Sequence, residues 1–257
     1  MRQIHPTAIV DPTARIDENV TIGAYSIISD NVEIGDGCWI GNQVMILPGA
    51  RIGRECKIFH HAVIAEIPQD LKFAGEETTA EIGDRTVIRE FVTINRGTSQ
   101  HWKTIIGSDC LLMAYVHVAH DCIIGNHVIM ANAVNLAGHV EIEDWVIMGG
   151  MVGVQQFSRI GQHSIVGGQY RVPKDVPPYI MAAREPLSFE GLNRVGLKRR
   201  NFPPETILTL KRAYNLIYHS KYNVSDAIRK IEDTPELMIP EVVNVIEFIK
   251  KSSRGII

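Results

Sequence analysis

Ile4, Val10, Ile16, Ile22 and Ile28 open a series in which an aliphatic residue returns at every sixth position. The series runs to Val172, and within it only Asp70, Glu76 and Gln100 are not aliphatic. An α-helix repeats near 3.6 residues and an isolated strand near 2, so neither accounts for a period of six. A hexapeptide repeat does: each repeat is a short flat strand plus a corner, unable to bury its own apolar face. Stacking the repeats into a solenoid buries those faces in one continuous core.

A second column supports this geometry. Four residues after each aliphatic stands a small or β-branched residue, as at Val20, Ser26, Val32, Cys38, Val44, Ala50 and Cys56, and again from Cys110 to Ser164. Both columns therefore point inward. Glycine often follows the aliphatic (Gly23, Gly35, Gly41, Gly83, Gly107, Gly125), where the backbone is expected to turn without a Cβ clash. Three strands make a coil of eighteen residues, and successive coils should rise by about 4.8 Å, the inter-strand spacing. The pattern resembles the left-handed parallel β-helix of hexapeptide-repeat acyltransferases, and the left hand is implied by that resemblance alone.

The pattern changes near Asp175-Val176-Pro177-Pro178-Tyr179. Beyond about Pro186 the apolar spacing is helical: Ile207, Leu210, Tyr214 and Ile217, then Val242, Val245, Ile246 and Ile249. Pro203 and Pro204 suit a helix's first turn. The expected architecture is mainly β: a left-handed parallel β-helix over 1–185, with loops at 66–81 and 99–104, and an α-helical C-terminal domain over 186–257. Three or four amphipathic helices would cover an otherwise exposed coil edge.

Composition narrows the function. The net charge of −3 over 257 residues gives no support for nucleic-acid binding, and the basic runs Lys198-Arg199-Arg200 and Lys211-Arg212 first read as a solvated helix face. All four cysteines (Cys38, Cys56, Cys110, Cys122) fall in the small inward slot, so packing explains them without a disulfide framework. No apolar run reaches membrane-spanning length, and a repeat beginning at Ile4 leaves no space for a signal peptide. A cytoplasmic protein without an integral membrane segment is expected.

The missing aliphatics mark two segments, Glu66–Glu81 and Ser99–Thr104, best read as loops leaving a rigid scaffold. From Leu112 onward stacking follows in steps of eighteen: His120 under Gly138 under Gln156, and Asp121 under His139 under Phe157. His117 lies one corner away. Isolated histidines such as His127 and His163 read as solvated corners, whereas His117, His120 and His139 converge beside a loop and point to function. One chemistry is general-base catalysis, with a histidine oriented by a carboxylate and a glycine N–H for an oxyanion. Another is a three-histidine zinc site, as in the gamma-class carbonic anhydrases built on this solenoid. A third is a structural solenoid whose faces bind partners and which has no use for the histidines.

His117-Val118-Ala119-His120-Asp121-Cys122, Asn135-Leu136-Ala137-Gly138-His139-Val140, Gly149-Gly150-Met151, Asp175-Val176-Pro177-Pro178-Tyr179 and Gly196-Leu197-Lys198-Arg199-Arg200 resemble motifs of the UDP-N-acetylglucosamine O-acyltransferases of lipid A synthesis. The resemblance runs the length of the chain. It implies transfer of a (3R)-3-hydroxyacyl group from acyl carrier protein to the sugar 3-hydroxyl, the first step of lipid A biosynthesis. No cofactor or metal is implied, and the family forms homotrimers with active sites between neighbouring solenoids. Carried over by position, His120 is the general base, Asp121 its partner and the Gly138 N–H the oxyanion donor. His117, His139 and Gln156 then contact the UDP-sugar, and Asp70 and Lys72 reach the substrate from the first loop. Asn193, Arg199 and Arg200 hold the uridine and phosphates, which guanidinium groups suit bidentately. Gly168 stands at the acyl-length ruler and leaves room for a long chain. Gln155 and Val195 stand where the family pattern has a histidine and an acidic residue, which leaves a 3-amino analogue of the acceptor open beside UDP-N-acetylglucosamine.

Overall fold

Each repeat folds as a two-residue strand followed by a corner, and its inward residues are those the period picks out. In the computed structural model, which describes residues 2–257, the strands form three sheets of eleven, nine and eight strands, parallel except for one pair at the end of the first. These are the three faces of a triangular coil. Each strand pairs with the one three repeats on, Leu111–Leu112 with Ile129–Met130 and His117–Val118 with Asn135–Leu136. Ile22, Ile40, Ile58, Ile88, Leu112, Met130 and Met148 line one inner wall and are almost wholly buried. The fold is a left-handed parallel β-helix with C-terminal helices.

The corners follow a different rule from the one expected of glycine. The residue with positive φ is the third after the aliphatic and is rarely glycine: Tyr25, Arg85, Tyr115, Asp121, His139 and Phe157 all lie between 56° and 65°. The glycine directly after the aliphatic is needed for close approach between coils. A Cβ on Gly83 would sit 2.6 Å from the Ser108 backbone nitrogen, and one on Gly35 2.8 Å from the Gly53 carbonyl. The small inward slot also has a polar task. Cys38, Cys56, Cys110 and Cys122 are free thiols that donate to the carbonyls of Gly53, Gly83, Gly125 and Ala137 at 3.0–3.2 Å. Ser26 does the same to Gly41 at 2.8 Å, so corner carbonyls with no ladder partner are satisfied from inside.

The insertions lengthen single coils without shifting the repeat. Val63 pairs with Thr93 across the first and Thr93 with His117 across the second, spacings of thirty and twenty-four residues where the plain coil has eighteen. The first leaves the solenoid at a bulge between Ile64 and Glu66, where Ala65 takes φ 64°. Strands Thr79–Ile82 and Lys103–Ile106 pair along four residues, so the first loop, 67–78, is shorter than the expected 66–81, and the second, 96–102, lies earlier than the expected 99–104.

Past the last coil, strands Ile180–Ala183 and Ser188–Leu192 form an antiparallel pair that continues the eleven-stranded face, a strand that helical spacing alone did not predict. Four helices follow: α1 (Arg194–Arg199), α2 (Pro204–Tyr218), α3 (Val224–Glu232) and α4 (Pro240–Lys250). Proline opens α2 and α4, where its missing N–H is no loss. Buried Tyr214 of α2 donates to the Pro178 carbonyl at 2.6 Å, and Arg159 of the last coils lies over the Phe248 ring of α4 at 4.5 Å. The chain's end returns to Asp175, whose N–H donates to Gly255 and whose carbonyl accepts from Ile257, both at 3.1 Å.

Candidate active site

The corner that follows the second face gathers the titratable residues that the stacking predicts. Its stacked strands His117–Val118, Asn135–Leu136 and Gly153–Val154 are joined in register, and the corners after them present His120 and Asp121, Gly138 and His139, Gln156 and Phe157. The His139 N–H donates to the His120 carbonyl at 3.1 Å and the Phe157 N–H to the Gly138 carbonyl at 3.3 Å, which is the stacking the period predicts. Asp121 and His139 hold left-handed φ values of 58° and 59°, so both side chains sit at the sharp edge of the triangle.

His120 Nδ1 lies 2.8 Å from Asp121 Oδ2, with both residues buried. The aspartate is gripped on its other sides. Its Oδ1 accepts the Thr98 N–H at 2.9 Å, its Oδ2 accepts the Thr98 hydroxyl at 2.7 Å, and its own N–H donates to Thr104 Oγ1 at 2.9 Å. Burial pushes the Asp121 carboxyl up, but the Thr98 hydroxyl, His120, the Thr98 N–H and the nearby His139 together hold it below the usual carboxylate value. Asp121 is thus an anion at neutral pH, and its acceptor oxygen favours the His120 tautomer with the proton on Nδ1 and a free lone pair on Nε2.

His139 stacks on Phe157 at 4.6 Å and meets the His120 ring edge-on at 5.1 Å, its Nε2 3.7 Å from Asp121 Oδ2. Burial, with the neighbouring His120 and His101, lowers its pKa against the pull of Asp121 and a weaker one from Asp70. His117 is also lowered by burial, and its Nδ1 is 2.7 Å from the Thr93 hydroxyl. His117 and His139 therefore favour the neutral form and add no positive charge beside the dyad.

Gly138 is required by contact. A Cβ there would lie 2.6 Å from His120 Cε1 and 2.7 Å from Nε2. At several equivalent corners the matching N–H is taken by a side chain one coil on: Ala24 by Asn42 at 2.9 Å, Ser108 by Asn126 at 2.8 Å, Asn126 by Asp144 at 2.7 Å. Above Gly138 stands exposed Gln156, and among the described residues the Gly138 N–H makes no hydrogen bond. A donor left open beside Nε2 is what an oxyanion site needs.

These residues border a groove of about 630 Å³ lined by His117, His120, Asn135, Gly138, Gln155 and Gln156, with Gln69 of the first loop at its rim. The other expected residues do not line this groove, although Asp70 stands near enough to His139 to act on its charge. Asp70 is half-buried and turns the loop by accepting the Lys72 N–H at 3.0 Å, while Lys72 itself is exposed. Gly168 is exposed at the corner after the first face. Asn193 caps α1, accepting the Gly196 N–H at 3.1 Å and donating to the His163 carbonyl at 2.8 Å. Arg199 is exposed. Arg200 lies over Trp145 at 5.4 Å, and its Nε and Nη2 are buried without a hydrogen-bond partner.

Sequence reasoning missed Thr98, Thr104, Thr93 and His101. The signal was present for Thr98 and His101, which flank the missing aliphatic at Gln100. The zinc alternative needed three converging histidines. Among the described residues, the donors lying within 4.8 Å of one another belong to His120, Asp121 and His139, and His117 is not of that group. His120 also turns Nδ1 to the carboxylate, so the arrangement is a histidine–aspartate dyad with a histidine neighbour.

Comparison with known proteins agrees. Residues 175–257 match the family model described as UDP N-acetylglucosamine O-acyltransferase, domain 2, and residues 31–66 and 103–138 match the bacterial transferase hexapeptide. The chain is 47% identical to the acyl-[acyl-carrier-protein]–UDP-N-acetylglucosamine O-acyltransferase of Thiobacillus denitrificans across 100% of both chains. It is 51% identical to that of Paracidovorax citrulli, over 100% of this chain and 99% of the other. A solved UDP-N-acetylglucosamine acyltransferase from Bacteroides fragilis superposes with a TM-score of 0.97 at 48% identity, covering 98% and 99% of the two chains. The Acinetobacter baumannii structure gives 0.95 at 43% identity, covering 99% of each. The dyad, the open glycine N–H and full-length similarity at this level place the chain in one family: it belongs to the acyl-[acyl-carrier-protein]–UDP-N-acetylglucosamine O-acyltransferases.

Proposed function

We propose that this chain is the acyltransferase that moves a (3R)-3-hydroxyacyl chain from acyl carrier protein to the 3-hydroxyl of UDP-N-acetylglucosamine, opening lipid A biosynthesis. The observation that carries the reading is the His120–Asp121 dyad at 2.8 Å beside an unoccupied Gly138 N–H. His120 Nε2 takes the proton of the sugar hydroxyl as its oxygen attacks the thioester carbonyl. The Gly138 N–H receives the charge that gathers on the carbonyl oxygen. Collapse breaks the carbon–sulfur bond, and the imidazolium returns its proton to the departing thiolate, leaving ester, thiol and neutral histidine. No step calls for a cofactor. His117, His139 and Gln156 line or border the sugar's place in the groove.

Asp70, Lys72, Gly168, Asn193, Arg199 and Arg200 complete the site from a neighbouring copy in a homotrimer. The fully exposed Leu71 at the tip of the first loop supports this. The enzyme works in the cytoplasm, where the carrier protein and sugar nucleotide meet; no helix among the described residues is long and apolar enough to cross a membrane. The test is an acyl-transfer assay with UDP-N-acetylglucosamine, its 3-amino analogue and a ladder of 3-hydroxyacyl carrier proteins. The reading expects ester formation with the natural sugar. Exclusive turnover of the amino sugar would replace the acceptor, and turnover of neither would remove the reaction.

A further inference from the structure

The second insertion delivers Thr98 to Asp121. Both carboxylate oxygens are engaged by this residue, Oδ1 by its N–H at 2.9 Å and Oδ2 by its hydroxyl at 2.7 Å. The hydroxyl's direction is set, because Thr98 Oγ1 accepts the Gln100 N–H at 3.3 Å and turns its hydrogen toward the aspartate. The loop is held from both sides. Gly97 accepts the Thr78 hydroxyl at 2.6 Å, and a Cβ on it would come within 2.6 Å of Lys103 Cα. The Thr98 carbonyl accepts the Trp102 N–H at 2.7 Å. Thr98 is 5% exposed and Asp121 1%, so solvent has little part in orienting the carboxylate.

We propose that Thr98 is a positioning residue for acyl transfer: its two hydrogen bonds fix the plane of Asp121, and the remaining direction on Oδ2 fixes His120 with its proton on Nδ1 and Nε2 free toward the acceptor. The proposal rests on His120 as the base. It assigns a function to an insertion of six residues that the solenoid itself does not need.

The experiment compares Thr98→Val and Thr98→Ser with the unaltered enzyme. Valine keeps the volume and the N–H bond but loses the hydroxyl, and serine keeps both bonds. Thr98→Val is expected to lower kcat between about ten- and a hundredfold, the scale of a small misplacement of a reacting group, with KM for the sugar nucleotide within about twofold. Thr98→Ser should stay close to the parent. In ¹⁵N-histidine-labelled enzyme, the neutral His120 ring should shift from the Nδ1–H toward the Nε2–H tautomer in the valine variant alone. Equal impairment of both variants, or an unchanged His120 tautomer and kcat in Thr98→Val, overturns the proposal. The tautomer readout is independent of turnover. If His120 proves dispensable, the base assignment falls while Thr98's control of the ring is still decided.

Discussion

Single residues in this molecule are set by what the neighbouring coil presents. His163 shows this outside the active site. Its ring stacks with Trp145 and Tyr179 and meets Phe202 edge-on, and its buried Nδ1 has no partner. Burial, reinforced by Arg200, lowers its pKa to about 4. The unfolded chain, with a histidine near 6.5, therefore binds a proton that the folded chain refuses between these values. Stability is full above about pH 6.5 and falls as pH drops toward 4, since a group that is charged only in the unfolded state favours unfolding. Melting temperatures taken across pH 4 to 7 should decline on acidification, and His163→Phe, which keeps the stack, should flatten that decline. An identical slope in the variant contradicts this account of the corner. His163 also marks where residue-level reading stopped: as a lone histidine it read as solvated, because the Phe202 and Arg200 that cover it arrive from the tail, where no repeat gives a register.

At the scale of elements, the period of six made the three faces, the buried wall and the stacking of His120 on Gly138 legible before any coordinate. Steps of eighteen are a geometric address once the coil is triangular. The address failed only across insertions, where the chain leaves the lattice and returns by pairing. That is why Thr98 and Thr104, which grip Asp121, could not be placed although the missing aliphatic at Gln100 pointed to their segment. The corner glycines were legible as turns but for an incomplete reason. Their φ is ordinary, and it is the backbone of the next coil that excludes a Cβ. Gly83→Ala should accordingly destabilise the fold by about 1–3 kcal/mol, the usual cost of overpacking against rigid backbone, and a denaturant melt will measure it. Parent-like stability would mean that the coils have slack at this corner.

At the scale of the whole molecule, the dyad and the arginine proposed to hold phosphate lie apart in a single chain. The dyad and Gly138 lie on one edge of the solenoid, while Arg200, with Nε and Nη2 buried and unpaired, lies against Trp145 on another. If neighbouring copies bring these together, co-expressing differently tagged His120→Ala and Arg200→Gln chains should give mixed assemblies with activity above either parent, because some interfaces then combine an intact dyad with an intact arginine. Mixed assemblies as inactive as their parents would place the whole site within one chain. The central claim is that His120, oriented by Asp121, removes the proton of the sugar hydroxyl. Its most direct test is the initial rate of 3-hydroxyacyl transfer from acyl carrier protein to UDP-N-acetylglucosamine by His120→Ala of unchanged melting temperature. Loss of a general base predicts a fall of at least about a hundredfold, and a rate equal to that of the unaltered enzyme would contradict the account.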